Sequence, residues 1–228
     1  MKITLITHTP DPEKIIASAA KLCYSSNDIG TLMNGLTTEK IESFIKKLTD
    51  LGHQSPLEHC TFTFGVEGVS RALLAQLTRH RIASYSVKSQ RYVKEDDFDY
   101  VVPNSIKELK PEFKYGGYGW NYDDVMELIG FYYRAAVEAG VPAEDARYVL
   151  PNACTTQVMM TFNIRSLLNF FELRCCNRAQ WEIRQMADEM LDICKSIAPN
   201  IFAKAGASCV RGKCKEGKMC CGNPKGGI

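Results

Sequence analysis

Apolar residues recur along this chain in two rhythms, and the change from one to the other marks its elements. In "KITLITH" (2–8) and "CTFTFGVEG" (60–68) they alternate, with Phe62, Phe64 and Val66 against Thr61, Thr63 and Gly65, which predicts strands with one buried face. "CTTQVMMTFN" (154–163) predicts another strand, and "DYVVP" (99–103) a further one. Elsewhere the spacing is three and four. Residues 12–26 predict a helix with Ile15, Ala19 and Leu22 on one stripe. Residues 37–53 predict a second, capped by Thr37 or Thr38, with Ile41, Phe44, Ile45 and Leu48 inward. Residues 69–80 align Val69, Leu73 and Leu77. Residues 122–139 are helical, and a short helix follows with Pro142 in its first turn. Residues 164–176 bury Ile164, Leu167, Leu168 and Phe171, and Pro199 stops a last helix over 179–199. Pro103, Pro111 and the Gly116-Gly117-Tyr118-Gly119 run predict a loop over the rest of 93–120.

Helices and strands therefore mix without a regular βαβ alternation and without an internal repeat. The expected class is α+β: helices packed on a central, mostly antiparallel sheet in a single domain. The 228 residues are enough for one sizeable core but short for two independent ones. A body over 1–205 and a Cys/Gly/Lys-rich tail over 206–228 are the expected divisions. No apolar run approaches the roughly 20 residues needed to span a bilayer. The opening "MKITLITHTPDPEK" lacks the apolar core and small-residue cleavage pattern of a signal peptide. A cytoplasmic protein that engages no membrane is expected.

Six cysteines (Cys23, Cys60, Cys154, Cys175, Cys176 and Cys194) lie within apolar segments, where a reduced thiol behaves as a small hydrophobe. The other four, Cys209, Cys214, Cys220 and Cys221, crowd the tail without paired C-x-x-C spacing. A partly ordered extension is the expectation there, with a metal or disulfide clip as the alternative.

Charge changes the picture only locally. With 28 basic against 26 acidic side chains there is no general field for nucleic acid or membrane, so any anion must be held by a patch. One such patch is "RHRIASYSVKSQRY" (79–92), which follows an apolar helix. Gln76 and Arg79, three apart, converge at that helix end; beyond it, in extended chain, Arg79 and Arg81 point one way and His80 the other. Guanidinium forks with the hydroxyls of Ser84, Ser86 and Ser89 suit a phosphate, and a solvated basic loop is the alternative. In "NIRSLLNFFELRCC" (163–176), Asn163, Arg165, Asn169 and Arg174 are side chains that hydrogen-bond the edge of a heterocycle, or else cap a helix. In "GHQSPLEHC" (52–60), Ser55-Pro56-Leu57-Glu58 reads as a capped helix start able to face an anion. The spacing of His53 and His59 does not match a helical metal pair, and no metal is expected.

Taken together, these patches resemble the flavin-dependent thymidylate synthase family. The core is Arg79-His80-Arg81 with Ser89 and Arg91 at fixed spacing; "HQSPLEH" (53–59), "ARYVLP" (146–151) and "NIRSLLNFFELR" (163–174) extend the likeness over about residues 50–175. Many members carry Asn-Glu where this chain has Ser86-Val87, so Val87 cannot supply that glutamate's contact. The resemblance implies dTMP made from dUMP, with methylenetetrahydrofolate as carbon donor, FAD as hydride carrier and NADPH as reductant, in a homotetramer with shared sites. It implies dUMP contacts from Gln76, Leu77, Thr78, Arg79, Lys88, Ser89, Gln90, Arg91, Arg147 and Arg174, the last being the catalytic cation. It implies FAD contacts from Ser55, Arg79, His80, Arg81, Asn163, Ile164, Arg165 and Asn169, with His53 near flavin and folate. Flavin chemistry asks no nucleophile of the protein, so Ser89 is a ligand and Cys154 a structural thiol. The rival classes are a single-stranded nucleic-acid module, stacking bases on Tyr85 and Tyr92, and a flavin oxidoreductase without methyl transfer.

Overall fold

The computed structural model describes residues 1–110 and 112–225; Pro111, one of the loop markers, and the tail's last three residues lie outside the described residues. The elements run β1 Lys2–His8, α1 Pro12–Leu22, α2 Ile29–Asn34, α3 Thr38–Asp50, a 3-10 turn Ser55–His59, β2 Thr61–Ser70, α4 Arg71–Leu77 and β3 Ala83–Val87. They continue with α5 Asn104–Leu109, β4 Phe113–Tyr115, β5 Tyr118–Trp120, α6 Tyr122–Glu138, α7 Ala143–Ala146, β6 Thr155–Asn163, α8 Ile164–Arg174, α9 Trp181–Ile197 and α10 Pro199–Phe202. A four-stranded antiparallel sheet has the order β1-β2-β6-β3. The class is α+β, as the alternating and helical rhythms require.

Four local expectations are corrected. Within "DYVVP" only Tyr100 pairs, by an isolated antiparallel bridge to Cys154; Pro103, which lacks an N–H, then leads into α5. The glycine run is not loop but the turn of a hairpin: Gly116 (φ 59°) and Gly117 (φ 84°) are both left-handed, the pair a two-residue turn between β4 and β5 needs. The buried stripe of α1 is Ile16, Ala17 and Ala20, while Leu22 is exposed; α1 packs on α3. The helix expected over 69–80 begins at Arg71, because β2 continues through Ser70, whose hydroxyl then accepts the Leu73 N–H at 3.0 Å. It ends at Leu77, which leaves Arg79-His80-Arg81 in the connection to β3.

By proximity the chain forms two compact units: Met1–Lys2, Val66–Thr78 and Ser86–Val158 in one, Ile3–Gly65, Arg79–Tyr85 and Met159–Ile228 in the other. In the first unit, Val66, Val69, Leu73, Leu77, Tyr133 and Val158 are buried. In the second, α8 packs on α9, and α10 on α9 and α3. Its core is aromatic: Phe202 meets Phe62 and Phe171 edge-on with centroids 5.9 and 6.0 Å apart, and Phe162 lies 5.6 Å from Phe170. Leu168, expected in that core, is only part-buried, and Phe170 takes the inward place.

All ten cysteines are free thiols, but Cys23 is exposed and Cys176 part-exposed, unlike the other four of the body. The tail, described to Lys225, lies against the second unit's helices. Arg211 and Lys215 both reach Glu172 on α8, Lys225 Nζ reaches both Asp188 oxygens on α9 at 2.9 and 2.7 Å, and Cys209 is buried. Among the described residues no three metal-ligating side chains are placed to hold an ion, and no helix is long and apolar enough to cross a membrane.

Candidate active site

The second unit contains a cavity of about 1070 Å³, and α8 forms much of its wall. Asn163 caps α8, its Oδ1 accepting the Ser166 N–H at 2.8 Å. Ile164, Leu167, Phe170 and Phe171 of α8 face inward, while Arg165, Asn169 and Arg174 line the cavity together with Leu168 and the exposed Leu173. Arg165 donates from Nε to Gln54 Oε1 at 3.1 Å and from Nη1 to Glu58, so it fastens the 3-10 turn to the cavity wall. His53 reaches the same wall because α3 closes on Gly52, left-handed at φ 71°. The Gly52 N–H meets Thr49 O at 3.2 Å and the His53 N–H meets Leu48 O at 3.1 Å, the paired bonds of a Schellman cap.

Arg79, His80 and Arg81 complete the wall. The expected alternation holds: Arg79 and Arg81 are exposed, whereas His80 turns inward and meets Phe170 edge-on with centroids 5.0 Å apart. Arg174 Nε donates to His80 Nε2 at 2.9 Å. That bond makes Nε2 the acceptor and assigns the ring proton to Nδ1. Burial, then the cations of Arg174 and Arg79, pull the His80 pKa down from 6.5 to about 4. Burial and Arg79 also lower the Arg174 pKa from its ordinary value. A neutral imidazole thus orients a guanidinium without adding charge of its own.

This depression has a consequence for stability. The folded state resists protonating His80, whereas an unfolded histidine protonates near its ordinary value of 6.5. The contribution is fully present above 6.5 and is lost as pH falls through about 4. It is expected to be on the order of 2 kcal/mol, less than a fully buried imidazole would lose, because this ring keeps some solvent contact. Melting temperatures recorded down that pH range should fall more steeply for the native chain than for His80→Gln; parallel curves would contradict it.

Seven cationic side chains line the cavity, Arg79, Arg81, Arg165, Arg174, Lys204, Arg211 and Lys215, against two carboxylates, Glu58 and Glu172. In a chain of net charge +2 this is a strong local concentration, suited to a ligand carrying several negative charges. The volume exceeds the ~300–1,000 Å³ usual for small-molecule sites, which leaves room for a dinucleotide. Sequence reasoning missed Gln54, Glu172, Lys204, Arg211 and Lys215. The last two sit in the tail, where lysine and glycine read as solvated extension; only the docking of the tail on Glu172 brings them to the wall.

Two residues expected at the flavin do not line this cavity. Ser55 opens the 3-10 turn outside the cavity lining, and Gln54, whose side chain makes no cap bond, holds the cap position. Ile164 is fully buried, and its N–H is taken by Cys60 O at 2.9 Å.

The first unit gathers the other set. Leu77 is fully buried, Gln76 Nε2 donates to Ala72 O at 3.3 Å, and Thr78 Oγ1 donates to Leu74 O at 3.1 Å. Lys88–Arg91 leaves β3 as a tight, fastened segment: the Arg91 N–H donates to Ser89 Oγ at 3.3 Å and Gln90 Nε2 to Cys154 Sγ at 3.4 Å. Arg91 Nε pairs with Glu144 Oε2 at 3.0 Å, its guanidinium carbon lies 5.5 Å from the Tyr92 ring centroid, and Arg147 Nε donates to Glu144 O at 3.0 Å. Glu144 therefore draws Arg91 and Arg147 together, two arginines the sequence separates by more than 50 positions. Burial, then Glu95, push the Cys154 thiol up to about 11, so it is protonated near neutrality and unsuited to nucleophilic attack.

Residues 4–200 match the family model described as thymidylate synthase complementing protein. The flavin-dependent thymidylate synthase of Geobacter sulfurreducens is 51% identical over 97% of this chain and 94% of its own. Those of Clostridium tetani and Nitratidesulfovibrio vulgaris are 47% and 43% identical over 97% of this chain and 93% and 94% of theirs. The chain belongs to the flavin-dependent thymidylate synthase family. The family's flavin and nucleotide ligands are polyanions, a charge class that seven cations around one cavity suit. The residues present fit FAD: guanidinium forks at Arg79, Arg81 and Arg165 suit a pyrophosphate, and the amide of Asn169 suits a ring edge.

Proposed function

We propose that the cavity of the second unit is the flavin site of a thymidylate synthase that converts dUMP to dTMP, taking the carbon from methylenetetrahydrofolate and reducing equivalents from NADPH. The observation that carries this reading is the surplus of cations around a cavity walled by the family's own signature residues. Arg79, Arg81 and Arg165 would hold the FAD phosphates, with His80, Asn163 and Asn169 ordering the wall beside them and His53 at its rim. Ser55 and Ile164 remain candidates for flavin contact. FAD, when bound, supplies the hydride; the chain's groups bind, orient and polarise.

For dUMP we assign Gln76, Leu77, Thr78 and Arg79, the segment Lys88, Ser89, Gln90 and Arg91, and Arg147 and Arg174. Arg91 and Arg147 take the phosphate, and the Ser89 hydroxyl supports them. Arg174, oriented through Nε by His80, presents its cation to the uracil and favours the electron-rich, deprotonated ring. Copies of the chain in a homotetramer share these walls. On α6 the exposed Leu128, Phe131 and Tyr132 form an apolar stripe at i, i+3, i+4, away from buried Met126 and Tyr133, and this suits a second copy. Residues 1–205 form the catalytic body, and 206–228 an extension whose Arg211 and Lys215 add to the cavity wall. The free thiols fit a reducing, cytoplasmic setting, and the near-neutral net charge speaks against nucleic acid as partner.

The test is direct. Purified protein is expected to be yellow and to release tritium from dUMP labelled at C5 when folate and NADPH are supplied. Flavin without tritium release would leave an oxidoreductase. Colourless protein whose oligonucleotide affinity falls steeply with salt would leave the nucleic-acid module.

A further inference from the structure

Under the Lys88–Arg91 segment lies a polar cluster that the reaction as described does not use. Every polar group of Lys88 is engaged. Its N–H donates to Gln157 O at 3.0 Å, its carbonyl accepts from Arg71 Nη2 at 2.9 Å, and its ammonium reaches Glu95 Oε2 at 2.8 Å. Glu95 is 5% exposed, and its own N–H donates to the hydroxyl of fully buried Tyr133 on α6 at 3.1 Å. Arg71, the first residue of α4, is tied through its N–H to Cys154 O at 3.1 Å. Three separate parts of the first unit thus converge on one residue of the segment.

The cluster is poorly built for stability. Among the described residues, Arg71 Nε and Glu95 Oε1 are buried with no hydrogen-bond partner. Half-satisfied buried charges destabilise a fold, and apolar side chains would fill the same space without that cost. What the arrangement does provide is rigidity: Lys88 is held by main chain on both sides and by its side chain, and Ser89 and Arg91 follow at once. With its ammonium engaged by Glu95, Lys88 serves as an anchor.

We infer that Arg71 and Glu95 are positioning residues, which clamp Lys88 so that Ser89 and Arg91 stand preorganised for the phosphate of dUMP. The inference rests on the reading of Lys88–Arg91 as a dUMP segment. Preorganised donors lose little freedom on binding, so loosening the clamp should weaken binding of a phosphate while leaving groups that do not touch it unaffected.

The experiment uses the flavin-loaded protein with Arg71→Lys, which keeps the charge but loses the fork, and Glu95→Gln, which keeps the shape but loses the charge. Both are expected to bind dUMP about tenfold more weakly and to raise its KM. The kcat at saturating dUMP should stay within about threefold, and flavin content and Tm should stay near native values. Binding of deoxyuridine, which lacks the phosphate, should not change; a general loss of structure would weaken both ligands alike. Native dUMP affinity in both variants, with Arg91→Ala impaired, would overturn the clamp and leave the dUMP reading standing. Native affinity in Arg91→Ala as well would overturn the dUMP reading itself. Failure of both clamp variants to fold would overturn the inference too, since the cluster would then be a folding element.

Discussion

Arg174→Ala is expected to lower dTMP formation by roughly 100- to 1,000-fold, the loss seen when a fixed charge-stabilising donor is removed from an enzyme site. The fold should survive. The inward face of α8 is Ile164, Leu167, Phe170 and Phe171, all buried, and Arg174 lies at the helix end on the cavity wall. Losing a cation at a helix C-terminus costs about 0.3–1 kcal/mol, far less than the catalytic effect. The His80 imidazole gives a second readout. Arg174 is one of the two cations that depress its pKa, so the pKa should rise from about 4 in the variant, which proton NMR can follow. Native turnover would remove Arg174 from the chemistry, and an unmoved His80 titration would contradict the geometry.

Arg91→Lys is expected to weaken dUMP binding about 10- to 100-fold, the worth of a charge-assisted hydrogen-bond pair at ~1.5–3 kcal/mol. Arg91 holds Glu144 through Nε, which orients the planar fork; a lysine keeps the charge but presents a single point. The Arg91–Glu144 pair is about half exposed, so its loss should cost ~1 kcal/mol of stability at most. Deoxyuridine again separates the causes: its affinity should be unchanged, because the contact is to phosphate. Equal weakening of both ligands, or an unchanged dissociation constant for dUMP, would count against the assignment.

Much of this architecture could be read from residue order. Alternation in 2–8 and 60–68 marked β1 and β2 because a half-buried strand has period two, and the spacing of Ile41, Phe44, Ile45 and Leu48 marked α3. The readings failed where neighbours, and not the segment itself, decide burial. Ala17 and Ala20 are inward because of the elements that pack on α1, α3 and the 3-10 turn among them, which no periodicity in 12–26 reveals. "DYVVP" has strand composition but lies beside Pro103, so it makes one bridge and leaves the sheet. The glycine run carried a turn signal, but its reading as loop overlooked that two left-handed residues between short extended segments close a hairpin.

The candidate site divides in the same way. By itself the sequence determined which side chains could serve: a cation–histidine–cation run, spaced serine and arginine, amides and arginines on one helix, and family membership through them. Those are properties of residue type and spacing, which chain order preserves. Only the tertiary structure decided what each group meets. It set Arg174 on His80, drew Arg91 and Arg147 to Glu144, and brought Arg211 and Lys215 of the tail to Glu172. It also buried Glu95 under Lys88. Apart from the local Arg147–Glu144 bond, those partners lie 7 to 94 positions apart, and a short hydrogen bond between them is a fact of folded distance that no local pattern encodes.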